Sequence, residues 1–309
     1  MKFPVAITAR SFDTGGPAFE KLSLHCKILY VNPGRKRLTE SELPKALEGA
    51  VGAIAGTERF SGPVLESSRD LKVISRIGSG TDNIDGITAD RLGIRILNTP
   101  EAPVQAVAEH TIALILAIFK NLRIYQAEFS RGVWEPHTGC LLSGKTVGII
   151  GMGRIGKRVA TLLQSFGCGI LFYDPYLSSS VYPEWKACDS LEDLLRAAEI
   201  ISLHIPALEG NASLLSDGEL RLCRRGSVII NTARGSLIQE GALKRALDEG
   251  IIAGAGLDVF PEEPYMGQLL THQGVVATPH VASNTKETRS QMEIEAVENL
   301  IRALEGGEP

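Results

Sequence analysis

An imidazole, a carboxylate and a guanidinium, at His280, Glu263 and Arg234, are the side-chain types needed to oxidise an alcohol that sits beside a carboxylate. Imidazole, with an unperturbed pKa of about 6.5, exchanges protons near neutrality. Glu263, in Asp258-Val-Phe-Pro-Glu-Glu-Pro264, lies in the loop before the segment that carries His280 and is placed to reach its ring. A carboxylate there raises the ring's proton affinity and holds its orientation. Arg234, in Asn231-Thr-Ala-Arg-Gly235, offers a planar fork that grips a carboxylate through two bonds and polarises a carbonyl. Taken singly, His280 reads better as an ordinary loop histidine, Arg234 as a surface cation and Glu262 or Glu263 as solvated acids. Their weight comes from standing together with a nucleotide motif. Among the other histidines, His204 ends a strand and is placed to line a nicotinamide pocket. His110 reads as a satisfied helix histidine, and His25, His137 and His272 as surface or loop residues. Ser236 and Cys140 have no neighbouring base to activate them, and no metal-ligand spacing is present, so nucleophilic and metal-assisted routes are set aside.

The nucleotide motif is Lys145-Thr-Val-Gly-Ile-Ile-Gly-Met-Gly-Arg-Ile-Gly156. Gly151, Gly153 and Gly156 follow a β-branched run at the G-x-G-x-x-G spacing of a dinucleotide-binding βαβ unit. The first glycine permits a tight turn, the second a close approach to pyrophosphate, and the third the packing of a helix from Arg154 to about Phe166. Amides at that helix start favour anions. The next apolar run, Gly169-Ile-Leu-Phe-Tyr-Asp174, ends in a carboxylate 18 residues after Gly156 (174 − 156). Asp174 is placed for the ribose hydroxyls and repels a 2′-phosphate, which points to NAD rather than NADP.

These residues need a scaffold, and the rest of the chain supplies one. Apolar runs at residues 5–7, 28–31, 51–55, 73–77 and 94–97 alternate with polar, helix-compatible segments such as 40–49. That is the rhythm of a parallel α/β sheet. After the glycine motif, further runs at 200–203, 228–230, 253–257 and 275–277 each end in polar residues, and ligands gather beyond the carboxyl ends of such strands. Arg76-Ile-Gly-Ser-Gly-Thr-Asp-Asn-Ile-Asp85 follows the fourth run; its amides suit a small carboxylate, or else form a plain turn capped by Asp82. Pro100 and Pro103 introduce a helix from about Val104 to Arg123. It is apolar nearly all round, as a subunit interface or a core helix would be. A last amphipathic helix, about Lys286 to Leu304, is expected to return to the first domain, giving two crossovers with a cleft between. Residues 1–98 plus 283–309 are assigned to a substrate-binding domain and residues 99–282 to an NAD-binding one. The fold class is α/β, with two Rossmann-like or flavodoxin-like domains, parallel sheets and an interdomain cleft. With a net charge of −4 and no basic run, neither nucleic acid nor an anionic membrane surface is an expected partner. Five dispersed cysteines, odd in number and without a C-x-x-C pair, point to a reducing cytoplasm. The longest apolar stretch, residues 112–119, is far short of the roughly 20 residues of a membrane span.

Taken in order, Gly-Ser-Gly-Thr-Asp-Asn-Ile-Asp85, Ala106-Val-Ala-Glu-His110, Gly-Met-Gly-Arg-Ile-Gly156, Leu203-His-Ile-Pro206, Asn231-Thr-Ala-Arg-Gly235, Gly256-Leu-Asp-Val-Phe260, Glu263-Pro264 and Thr278-Pro-His280 resemble the D-isomer-specific 2-hydroxyacid dehydrogenases over nearly the whole chain. The resemblance implies a catalytic set of Arg234, Glu263 and His280. It also implies that Ser79 and Gly80 amides bind the substrate carboxylate, that Arg154, Ile155, Asp174, Thr232, Ala233 and Asp258 contact NAD, and that a homodimer forms around the 104–123 helix. Three departures stand out: Asn211 where the family usually has threonine, a shorter segment from Glu263 to His280, and Ala55 where many phosphoglycerate enzymes have arginine, with only Arg59 nearby. The expected activity is reduction or oxidation of a small D-2-hydroxy or 2-keto acid. D-3-phosphoglycerate oxidation is the alternative within enzymes, and an NAD(H)-sensing corepressor-like protein the alternative outside them.

Overall fold

The computed structural model describes residues 2–34, 36–178, 181–208, 210 and 212–307. Chain contacts divide it into two units, Met1–Pro103 with Asn284–Pro309, and Val104–Ser283.

The first unit contains β1 (Phe3–Ile7), α1 (Pro17–His25), β2 (Cys26–Val31), α2 (Leu43–Ala46), β3 (Gly52–Ala55), α3 (Gly62–Ser67), β4 (Val73–Arg76), α4 (Gly86–Arg91) and β5 (Arg95–Leu97). The second contains α5 (Val104–Phe119), α6 (Leu122–Phe129), β6 (Thr146–Ile150), α7 (Arg154–Ser165), β7 (Gly169–Tyr173), β8 (Lys186–Ala187) and α8 (Leu191–Ala197). It continues through β9 (Ile200–Leu203), α9 (Asp217–Leu222), β10 (Ser227–Asn231), α10 (Glu240–Asp248), β11 (Ile252–Leu257) and β12 (Val275–Ala277). The closing helix α11 (Lys286–Leu304) belongs to the first unit.

Among the described residues every strand pairing is parallel, so both faces of each sheet need helices, and the strands read as continuous apolar runs rather than alternating ones. The first sheet has the order β2-β1-β3-β4-β5. On one face, Val5, Ile7, Ile54 and Val73 bury against Leu22 of α1 and Met292, Val297 and Leu300 of α11. Ser75 Oγ donates to Ala296 O at 2.7 Å, and a side chain at Gly52 would press on Leu300 Cδ1 at 2.9 Å, so β3 and α11 meet at close range. The other face is covered by Leu43, Leu47, Phe60, Leu65 and Ala89.

The second sheet runs β12-β11-β10-β9-β6-β7-β8. β6 lies between β7 and β9, so the direction of winding reverses between β6 and β9, where open α/β sheets leave a ligand crevice. The helix expected to reach Arg123 stops at Phe119. Asn121 turns into the left-handed region (φ 54°), and Cys140 N donates to Phe119 O at 2.8 Å, taking a carbonyl that a longer helix would have used. Ala108, Ile112, Leu114 and Ile115 of α5 are buried with Ile149, Val159 and Ile230, so α5 is a core helix of its own unit. The segment 40–49 is helical only over Leu43–Ala46. Among the described residues no helix is long and apolar enough to cross a membrane.

Candidate active site

The glycine turn sits at the β6–β9 reversal. Gly151 has φ +90°, and a Cβ there would strike Ile205 Cγ2 and the His204 carbonyl, so the turn is wedged against the end of β9. A Cβ on Gly156 would overlap Gly151 O, which brings the start of α7 onto the strand end. Gly153, by contrast, has nothing within 4 Å of where its side chain would be. Two glycines are therefore required by the protein's own packing, and the third leaves open space beside a helix start. That start carries no side-chain cap and no acidic residue in its first turn, leaving amide donors for an anion. Arg154 and Ile155 form the first turn. Asp174, just past β7, accepts from Met152 N at 2.9 Å and from Tyr176 N at 3.0 Å. The carboxylate is thereby fixed beside the glycine turn, as a ribose-binding acid needs to be, and Pro175 and Tyr176 after it add no positive charge. The described residues fit a dinucleotide.

The loops after β10, β11 and β12 are stitched to one another. Asn231 Nδ2 donates to Arg234 O at 2.8 Å and its Oδ1 accepts from Ala233 N at 3.0 Å, shaping the turn that carries the guanidinium. Gly235 lies flat on the next loop, where a Cβ would overlap the Phe260 carbonyl and Pro261 N. Asp258 N donates to Asn231 O at 3.0 Å and His280 N to Asp258 O at 2.8 Å, so the three strand ends form a continuous backbone chain of bonds. On this framework His280 Nδ1 meets Glu263 Oε2 at 2.9 Å, while Glu263 Oε1 accepts from Phe260 N at 3.2 Å. His280 itself has φ 54°, a conformation that costs a non-glycine residue free energy and that clusters at functional sites. Burial pushes the Glu263 carboxyl up, but the hydrogen bond and charge of His280 and the Phe260 amide more than offset it. The group sits below the ordinary glutamate range.

Asp258 departs from the expected cofactor contact. It is fully buried, Oδ1 accepts from Thr278 Oγ1 at 2.6 Å and Val281 N at 2.8 Å, and Oδ2 from Ala282 N at 2.9 Å. His110 Nε2 lies 3.5 Å from it and 2.9 Å from Thr278 Oγ1. Its carboxylate therefore anchors the chain on both sides of His280, through the Thr278 hydroxyl before it and the two amides after it, and has no surface to offer a ligand. Thr232 also turns inward, its hydroxyl 3.0 Å from that of Thr111 on α5. Ala233 is buried beside it, while Arg234 is half-buried, its Nη1 donating to Ala233 O at 2.7 Å. His204 bonds through Nε2 to Ser202 Oγ at 2.8 Å, and burial drives its pKa down to about 3, leaving a neutral ring at the crevice.

In the first unit, Asn98 Nδ2 donates to Ser79 O at 2.6 Å and Gly78 N to Thr99 Oγ1 at 2.7 Å, bracing the turn after β4. Among the described residues the amides of Ser79 and Gly80 have no acceptor. The cap of α4 is Asp85, which accepts from Thr88 N at 3.0 Å, and not Asp82. Arg59 Nε stands 3.6 Å from Glu40. Asn211 lies outside the described residues.

A family model described as "D-isomer specific 2-hydroxyacid dehydrogenase, NAD binding domain" matches residues 112–282. The chain belongs to the D-isomer-specific 2-hydroxyacid dehydrogenase family. A glyoxylate reductase from Aeropyrum pernix is 39% identical over 284 residues, covering 87% of this chain and 84% of that protein. The human D-3-phosphoglycerate dehydrogenase is 35% identical over 277 residues, 88% of this chain but 52% of that protein, so the chain spans about half the length of that relative. A solved structure, the TT0316 protein of Thermus thermophilus, superposes with a TM-score of 0.88 at 35% identity, covering 100% of this chain and 98% of that one. The glycine turn, the loop after β10 and the Glu263–His280 pair all lie within the segment matched by the NAD-binding model. Sequence reasoning missed two supports of this dehydrogenase-family site, the His110–Thr278–Asp258 network and the aromatic packing at Phe260. Both join residues whose types give no signal until the loops are folded together.

Proposed function

We propose that this chain is an NAD-dependent dehydrogenase or reductase of a small D-2-hydroxy or 2-keto acid. The observation that carries this is the carboxylate-backed imidazole, Glu263–His280, held at the carboxyl ends of the same sheet whose β6 ends in the dinucleotide turn. NAD held by the glycine turn and Asp174 would supply the hydride acceptor for the substrate's C2. His280 takes the proton of the C2 hydroxyl: Glu263 binds Nδ1–H, which leaves the Nε2 lone pair as the base. In the reducing direction the same imidazolium returns the proton. Arg234 binds the substrate carboxylate and polarises the carbonyl oxygen, and the amides of Ser79 and Gly80 are assigned to the carboxylate. Gly151, Gly153, Arg154, Ile155 and Gly156 are assigned to the pyrophosphate, Asp174 to the ribose, and His204 with the backbone of Thr232 and Ala233 to the nicotinamide side. Asp258 acts through the backbone around His280.

A phosphorylated substrate is disfavoured, because the one cation close after β3, Arg59, already faces Glu40, and Ala55 is fully buried. The partner we propose is a second copy of the chain. α6 has no buried residue, and Leu122, Phe129, Val133, Trp134 (83% exposed) and Leu141 (72% exposed) leave an apolar stretch uncovered. The setting we propose is cytoplasmic, supported by five unpaired cysteines, three of them buried.

The test is NADH consumption with glyoxylate, hydroxypyruvate, phosphohydroxypyruvate and pyruvate, in the wild type and in His280→Ala and Arg234→Ala. Loss of general acid–base help lowers kcat by about 10²–10⁴ in His280→Ala. Near wild-type turnover in both variants would show that the roles are misassigned; NADH binding without turnover on any of these acids would favour a sensing protein.

A further inference from the structure

The loop that carries Glu263 occupies residues 258–267, between the end of β11 at Leu257 and the next helical turn at Gln268, longer than the usual connection of about 4–6 residues. Such a loop needs its own support. The support is Tyr265: its ring stacks on Phe260 with centroids 4.1 Å apart and planes 11° from parallel, and its hydroxyl donates to Glu240 on α10 and accepts from Leu269 N at 3.3 Å. Phe260 is the residue whose amide holds Glu263 Oε1. Gly267 completes the seat, since the three nearest atoms to a Cβ built there all belong to the Tyr265 ring and hydroxyl and would overlap it or crowd it to 2.6 Å. The backbone of Gly267 is ordinary, φ −82°, so the ring alone excludes a side chain.

We propose that Tyr265 is a positioning residue for the His280 proton relay: stacked on Phe260 and tied to Glu240, it holds the loop after β11 in the shape that delivers Glu263 to the imidazole. This rests on the dehydrogenase reading above. Two charged groups act directly on Glu263: His280, which favours its ionised form, and Asp258 at the end of β11, which opposes it. Glu240 reaches the loop through Tyr265 and pushes the phenol up to about 12 together with its burial, the larger cause, so Tyr265 stays a neutral donor across the working range. Glu262 is exposed beside Glu263. The Tyr265 ring touches no reacting atom on this account. It works through the Phe260 amide.

The experiment combines Tyr265→Ala, Tyr265→Phe, Gly267→Ala and the double variant with two readouts. One is kcat and KM for NADH and glyoxylate. The other, independent of turnover, is the carbon-13 carboxyl titration of Glu263, assigned by its absence in Glu263→Gln. Tyr265→Ala is expected to lower kcat about tenfold with KM for NADH within twofold, and to raise the Glu263 titration, as loss of a hydrogen bond to the ionised form does. Tyr265→Phe, which keeps the stack, restores most of kcat and also guards against loss of the fold. Gly267→Ala reproduces the Tyr265→Ala effect in the wild type and adds almost nothing in the Tyr265→Ala background. An unmoved Glu263 titration in Tyr265→Ala, or a Gly267→Ala effect of equal size in both backgrounds, overturns the proposal. A moved titration in a protein without turnover upholds the positioning and refutes the dehydrogenase reading alone. An unmoved titration beside normal, His280-dependent turnover does the reverse.

Discussion

At the scale of single residues, the site depends on which partner each polar group finds. Glu263 sits below the ordinary glutamate range because His280 and Phe260 outweigh burial. A carboxyl depressed on folding adds stability that is fully present above its unfolded value of about 4.3 and is lost as pH falls through the folded value. Glu263→Gln is therefore expected to flatten the fall in stability below about pH 4.3, measured by urea midpoints across pH. The same change lowers kcat/KM by about tenfold, some 1.4 kcal/mol of transition-state stabilisation. An identical acid profile in the variant would show that the pair contributes nothing. Asp174 supports a second expectation: Asp174→Ala removes the charge that repels a 2′-phosphate, so the ratio of kcat/KM for NADH over NADPH falls at least roughly tenfold, as an interaction worth about 1.4 kcal/mol dictates. That Asp174 follows a strand was legible from its place after an apolar run. That its carboxylate also holds Met152 N was not, because the bond joins two loops.

At the scale of elements, glycines decide where strand, turn and helix can touch. Gly156→Ala places a methyl against Gly151 O and forces α7 away from β6. NADH affinity, read by fluorescence, is expected to fall at least tenfold, and unchanged affinity would mean that the turn does not hold the nucleotide. The spacing of these glycines is a local property, and so the βαβ unit could be read directly. The end of α5 could not. Lys120, Leu122 and Arg123 are all compatible with a helix, but Asn121 in the left-handed region and the Cys140 bond to Phe119 O stop it earlier. Replacing Asn121 with valine is expected to cost about 1–2 kcal/mol, because a β-branched side chain is crowded in the left-handed region that asparagine tolerates, seen as a lower urea midpoint. β8, only Lys186–Ala187, has no apolar periodicity long enough to announce itself and exists because it pairs with Leu171 and Phe172 of β7.

For the whole molecule, the exposed apolar stretch from α6 to Leu141 is a surface that a lone chain leaves uncovered. Trp134→Glu with Leu141→Glu is expected to convert a dimer to monomer by sedimentation velocity, with each unit's fold retained by circular dichroism; a variant that sediments like the wild type would move the interface elsewhere. The helix before it illustrates the limits of periodicity. An all-round apolar pattern suits an interface and a core equally, and only the packing of α5 on α7 and on β10 to β12 assigns it to the core. By itself the sequence determined whatever depends on near neighbours: the parallel α/β rhythm, the glycine turn with its following acid, and the chemical types of His280, Glu263 and Arg234. Tertiary structure alone decided which way Asp258 and Thr232 face, that Tyr265 braces the loop of Glu263, and where α5 ends. These rest on contacts between segments far apart along the chain, and no local preference of a residue encodes the partner that packing will bring to it.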